Sequence, residues 1–166
     1  MFNISTNPII TVEVEVDLNI LKSSSVNAML IPSKHGKRLI YGVGYRAAKQ
    51  KAQKYLENNY KNLENILGKS CPEFYYTKIN YTFFSNWLTK SSKYRKLRKR
   101  DVSNYQKNIE DVLFTFLGID DSSIVFSSVE KALIEPQECP VLHCKVELYE
   151  MDTTIFKRLI GQNKEK

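Results

Sequence analysis

Residues 11 to 20 alternate without a break, with Val12, Val14, Val16, Leu18 and Ile20 on one side and Thr11, Glu13, Glu15, Asp17 and Asn19 on the other. A period of two marks a strand with one buried and one wet face. Such a strand commits the chain to a sheet, most simply an antiparallel one, that needs an apolar layer on a single side. The pattern returns between Val141 and Tyr149, where Leu142, Cys144, Val146 and Leu148 oppose His143, Lys145, Glu147 and Tyr149.

The covering layer is legible as two helices. From Tyr45 to Leu67 the residues Ala48, Ala52, Leu56, Leu63 and Leu67 fall close to helical spacing, and Gly68 supplies a stop just beyond. Lys49, Lys51, Lys54 and Lys61 on that helix are expected to form an ordinary solvated face. A second helix begins near Asp101. Val102, Tyr105, Ile109, Val112, Leu113 and Phe116 form its core side, and Gly118 ends it. Phe74 to Phe84 is rich in Tyr, Thr, Ile and Phe and reads as a strand. Further strands are expected at Arg38 to Val43 and Ile124 to Ile134, with turns at Lys22 to Asn27 and around Pro136 and Pro140. The expected fold is α+β: a small mixed or antiparallel sheet with two main helices packed on one face. With 166 residues and 42% hydrophobic content, residues 1–150 are expected to form one domain. Residues 151–166 are expected to be an extension, partly helical or disordered.

A net charge of +7 points to an acidic polymer as partner, nucleic acid before an anionic membrane surface. The sequence holds no run of about 18 apolar residues that would span a bilayer, and its first ten residues lack the features of a signal peptide. Cys71, Cys139 and Cys144 are odd in number and lack CxxC spacing, which favours reduced thiols in a cytoplasm-like compartment over disulfides or structural zinc. His35 and His143 lie in no recognisable nucleophile motif, and Gly42 and Gly44 are badly placed for a phosphate-cradling loop.

Chemistry concentrates between Lys90 and Ile124. The cations Lys90, Lys93, Arg95, Lys96, Arg98, Lys99 and Arg100 stop abruptly at Asp101. The helix that follows has a polar side carrying Ser103, Asn104, Lys107 and Asp111, and Asp120 and Asp121 follow Gly118. Cations that hold a phosphate backbone, next to carboxylates that can place a divalent ion, are the parts a metal-dependent nuclease requires. Taken singly, each residue has a plainer reading. Asp101 is a helix N-cap, Asp120 and Asp121 are turn residues, Lys107 is an intrahelical ion pair, and the basic run is a solvated loop. Their conjunction in one order argues for the site.

The segment RDVSNYQKNIEDVLFTFLGIDDSSI resembles the signature of the RusA family of Holliday junction resolvases: basic residues, Asp-x-Asp-Asn, a Lys three positions later, an Asp after four more, and an Asp-Asp pair leading into a strand. Ser25-Val26-Asn27 resembles the family's Ser-x-Asn near the end of its first strand. The resemblance implies a small α+β homodimer that binds four-way DNA junctions and cuts two strands symmetrically with Mg2+ or Mn2+. It implies metal-binding carboxylates at Asp101 and Asp121 with Asp120 beside them, and a catalytic lysine at Lys107. Asn104 and Asp111 take supporting places. Asn27, Lys37, Arg38, Lys93, Arg95, Lys96, Arg98, Lys99 and Arg100 are expected to contact DNA, in a bacterial cytoplasm, with phage or prophage origin left open.

One position departs from the pattern: Ser103 stands where the family has its second Asp. Either Asp111, Asp120 or Glu110 makes up the charge, or metal affinity and rate are reduced, or the chain binds junctions without cutting them. A further alternative is an RNA-binding domain using Tyr75, Tyr76 and Tyr81 as stacking platforms. Phe114, on the polar side of the second helix, is one candidate for a subunit contact, with cover by the C-terminal segment the equal alternative.

Overall fold

The structure is a computed structural model and describes residues 7–21, 30–32, 39–41, 43–72, 75–86, 103–135 and 138–151. For 30–32, 39–41, 43–44, 70, 103–105 and 108 it describes the backbone alone. The elements run β1 (Ile10–Asp17), β2 (Leu30–Pro32), β3 (Leu39–Tyr41), α1 (Val43–Asn59), α2 (Ile66–Ser70), β4 (Tyr75–Ser85), α3 (Ser103–Leu117), β5 (Ile124–Leu133) and β6 (Val141–Glu150). A four-stranded sheet has the order β1-β6-β4-β5, and β2 and β3 form a separate two-stranded hairpin. In the larger sheet β1 and β4 are antiparallel to β6. β4 and β5 are parallel, so the sheet is mixed.

The alternation dictates which face is covered. Val12 pairs with Val146, which pairs with Ile79, and Val14, Cys144 and Tyr81 follow in the same register. These side chains are buried against Ala52 and Leu56 of α1 and Ile109, Val112, Leu113 and Phe116 of α3. Each fully buried aliphatic side chain contributes about 1.5–3 kcal/mol. The opposite face carries Thr11, Glu13 and Glu15 beside Lys145 and His143. The expected α+β architecture, two main helices on one sheet face, is the one observed.

Boundaries differ where tertiary contacts decide them. The helix expected over 45–67 stops at Asn59; Lys61–Leu63 form a 3-10 turn and α2 follows. The break centres on Asn65, which has a left-handed backbone (φ +53°) and donates its N–H to the Phe116 carbonyl at 2.7 Å. Gly68 is therefore not a helix stop. It lies inside α2, where a Cβ would meet the Asn65 side chain and, at 3.3 Å, the Gly118 carbonyl. Gly118 does end α3, at φ +74°. β1 ends at Asp17 and Leu18–Leu21 form a turn, while β2 was not foreseen.

Candidate active site along the third helix

β4, α3 and β5 form a strand-helix-strand crossover, so α3 runs back along the sheet and delivers the chain to the start of β5. The connection is tightly fixed. Gly118 and Ile119 both donate backbone N–H groups to the Phe114 carbonyl at 2.9 Å, closing the helix with a left-handed glycine. Asp120 then caps a 3-10 turn at Asp121–Ser123, its Oδ1 accepting from Ser122 N–H at 2.9 Å. The Ser123 hydroxyl donates to the Asp120 carbonyl at 2.6 Å and receives the buried Thr77 hydroxyl at 2.9 Å, which ties the turn to β4. The hydrogen bonds from Ser122 hold the Asp120 carboxyl below its ordinary range. It is ionised at neutral pH, and both Asp120 and Asp121 are exposed.

Beside this turn lies an open groove of about 430 Å³ lined by Lys49, Asp111, Phe114, Thr115, Asp120 and Asp121. Asp111 is its hub. The carboxylate accepts from the Tyr45 hydroxyl at 3.1 Å, lies 3.5 Å from Lys49 Nζ, and lies 4.0 Å from Lys107 Nζ one turn earlier on α3. Asp111 is half-buried, with 27% of its side chain exposed, whereas Lys107 is 57% exposed and reaches into solvent. Sequence reasoning missed Tyr45 and treated Lys49 as part of a solvated face. The available signal was their i, i+4 spacing beside Ala48 and Ala52, whose small side chains let α1 approach α3.

Glu110 points elsewhere. It accepts from Gln106 Nε2 at 2.7 Å, and Gln106 also reaches the Ser127 hydroxyl at 3.3 Å. Its carboxylate lies close enough to Tyr81 and Cys144 to add to the burial that pushes both groups up. Among the described residues the Tyr81 hydroxyl has no partner in full hydrogen-bonding geometry, although the Glu110 carboxylate stands beside it. Among the described residues no three His, Cys, Asp or Glu side chains converge as a metal cluster. Asp101 lies outside the described residues, as do Asn27, Lys37, Arg38, Lys93, Arg95, Lys96, Arg98, Lys99 and Arg100. Ser103 and Asn104 occupy the first turn of α3.

A sequence model described as Endodeoxyribonuclease RusA matches residues 23–146. The chain belongs to the RusA endodeoxyribonuclease family. The match takes in β2 through most of β6 and the whole of the Lys107, Asp111, Asp120 and Asp121 constellation. No curated protein sequence matches the chain. Two expectations change against the geometry. Tyr81 is fully buried and Tyr76 is stacked on Tyr149 at 5.0 Å, 4° from parallel, so neither offers a platform to bases. Phe114, expected on the polar side of α3, packs partly against the core as well as lining the groove.

α3 also separates the RusA-type residues along its length. At 1.5 Å per residue, its 15 residues span roughly 22 Å. Ser103 opens the helix, whereas Asp120 and Asp121 stand beside its last two turns.

Proposed function

We propose that this chain is a structure-selective endonuclease that resolves four-way DNA junctions with a divalent cation. The observation that carries the reading is the groove itself: exposed carboxylates at Asp120 and Asp121 open to solvent next to a lysine pair gathered by Asp111. An acidic edge beside a cationic one suits a phosphodiester, because the cations hold the chain that the carboxylates alone would repel.

Lys107 binds the scissile phosphate through its ammonium, and Asp111 keeps that side chain extended along α3. The Tyr45 hydroxyl orients the same carboxylate, and Lys49 adds a second cation on the other wall. The donor set fits Mg2+ or Mn2+: the exposed carboxylate oxygens of Asp120 and Asp121, which would hold the ion, are the ligands hard cations take, often one or two carboxylates with waters and phosphate oxygens. A cation bound there supplies Lewis acidity toward the phosphate and lowers the pKa of water. Asp111 is held by Tyr45 and two lysines, Glu110 accepts from Gln106, and Asp120 stands beyond the far end of α3, roughly 22 Å from Ser103, so none of the three stands in for a carboxylate at Ser103 within one protomer. The cations from Lys93 to Arg100, with Asn27, Lys37 and Arg38, grip the junction arms. Residues 1–150 form the catalytic unit, working as a homodimer in a reducing cytoplasm that leaves all three cysteines as thiols.

A second reading rests on Ser103: the chain binds junctions and does not cut them. Incubation with a four-way junction, a linear duplex and a single-stranded RNA, each with and without Mg2+ or Mn2+, separates the cases. Symmetric nicks on the junction alone are expected. Tight junction binding without product favours the second reading, and a preference for RNA contradicts both.

A further inference from the structure

Thr77 is wholly buried on the core face of β4, which continues through Ile79, Tyr81 and Phe83. A buried hydroxyl costs free energy unless it is hydrogen-bonded. Its partner is the Ser123 hydroxyl at 2.9 Å, in the turn that carries Asp120 and Asp121. The direction of that bond follows from the next one. Ser123 has a single hydroxyl proton, and its 2.6 Å contact with the Asp120 carbonyl, which can only accept, takes it. Thr77 is therefore the donor to Ser123. The Ser123 backbone N–H reaches the same carbonyl at 3.0 Å. That carbonyl belongs to the peptide joining Asp120 to Asp121, so a relay of hydroxyls runs from the core of the sheet to the link between the two acids.

A second irregularity sits at the same place. Thr77 pairs with Ile124 but Lys78 pairs with Phe126, so Val125 is an extra residue in β5, two positions beyond the turn. A bulge of this kind bends the strand that carries it and re-aims what is attached, and such bulges are over-represented next to active sites. Here the attached element is the acidic turn. Both carboxylates are exposed on the groove side, whereas the peptide between them is held from the protein interior. We infer that Thr77 is a positioning residue for the candidate cation site: through Ser123 it fixes the Asp120–Asp121 peptide, and with it the direction in which the two carboxylates leave the turn.

The inference rests on the reading of Asp120 and Asp121 as holders of Mg2+ or Mn2+, and extends it from the ligands to the core residue that orients them. Thr77 touches neither the ion nor the DNA. Its hydroxyl acts by preorganisation, since a turn already held in one conformation loses less freedom when the ion binds. Residues that orient metal ligands in this way typically change metal affinity by about 10–100-fold when they are removed. Valine at this position keeps the branched shape in the core and removes only the donor. Serine keeps the donor and gives up the methyl group.

Mn2+ alone, titrated into the full chain and followed by electron paramagnetic resonance, tests the role. Thr77→Val should weaken Mn2+ binding about tenfold or more, while Thr77→Ser should stay within about twofold of the parent. Ser123→Ala, which removes the relay from the turn itself, should lose as much as Thr77→Val, and the double variant should lose no more than either single one. Junction affinity in the absence of metal should be the same in all of them. A merely structural role for Thr77 gives the opposite pattern, a lower denaturant midpoint with Mn2+ affinity intact, and that result overturns the inference. So does a loss that serine fails to rescue, a pair of losses that add in the double variant, or a parent whose Mn2+ binding is absent or survives Asp121→Asn. If Thr77→Val does not fold, Ser123→Ala decides, and unchanged Mn2+ binding there overturns the inference. Junction cleavage measured alongside keeps the two claims apart. Mn2+ binding that depends on Thr77 in a parent that does not cut retains the positioning role and discards the nuclease; cutting with Mn2+ binding indifferent to Thr77 and Ser123 does the reverse.

Discussion

Asp111 and Tyr81 show how neighbouring positions on one scaffold are put to opposite uses. Asp111 gathers the buried Tyr45 and the accessible Lys49 and Lys107 at the groove, every partner polar. Tyr81 is buried on the core face of β4 beside Glu110, and among the described residues its hydroxyl meets no partner in full hydrogen-bonding geometry. An unsatisfied buried hydroxyl costs about 1–3 kcal/mol. Tyr81→Phe should therefore stabilise the fold by about 1 kcal/mol and raise the melting temperature; a fall of that size would show that the hydroxyl has a partner. Asp120 gives a prediction in pH. Its carboxyl is depressed below the ordinary 3.8 by the Ser122 hydrogen bonds, so the folded state binds its proton less readily than the unfolded chain. The stabilisation is present above that value and is lost as pH falls through the depressed one. Denaturant midpoints should thus differ between the parent and Asp120→Ala at pH 7 and converge toward pH 2. A constant gap across that range would contradict the capping role.

At the scale of elements, the joint between α3 and β5 is where local conformation and site placement coincide. Gly118 takes a left-handed backbone, and a Cβ there would meet the Asn65 side chain and the Gly68 backbone nitrogen at 3.0 Å. Gly118→Ala should destabilise by about 1–2 kcal/mol from the backbone term alone. It should also lower junction cleavage beyond what the stability loss explains, because Asp120 and Asp121 hang from that turn; unchanged stability would mean the turn relaxes freely. These elements differ in how far the sequence reveals them. α3 is legible because Ile109, Val112, Leu113 and Phe116 repeat at helical spacing and Gly118 closes the run. The interruption of the first helical region is not, since Asn65 breaks it through a hydrogen bond to Phe116, a residue on another helix. β2 is three residues long, too short for a period to register. The parallel pairing of β4 with β5 depends on the sense of the crossover, which alternation does not encode.

At the scale of the whole molecule, the charge of +7 belongs to a chain whose described surface carries mixed charges, with the dense cationic run in Lys90 to Arg100. The order of that run, the polar side of α3 and the Asp-Asp turn were legible together in the sequence. The contribution of Lys49 and Tyr45 was not, because it arises only when α1 packs on α3. Replacing two of the cations between Lys93 and Arg100 by alanine should weaken junction binding. It should also reduce the slope of log affinity against log salt by about one unit for each DNA phosphate that is no longer neutralised. An unchanged slope would place the DNA elsewhere. The central claim is that the acidic turn beside α3 serves chemistry on junction DNA and not merely the local fold. Its most direct test is the Asp121→Asn variant, measured for binding and for Mg2+-dependent cleavage on the same four-way junction. The account predicts binding within about twofold of the parent, a change below ~0.5 kcal/mol, with cleavage abolished; full cleavage by Asp121→Asn would contradict it.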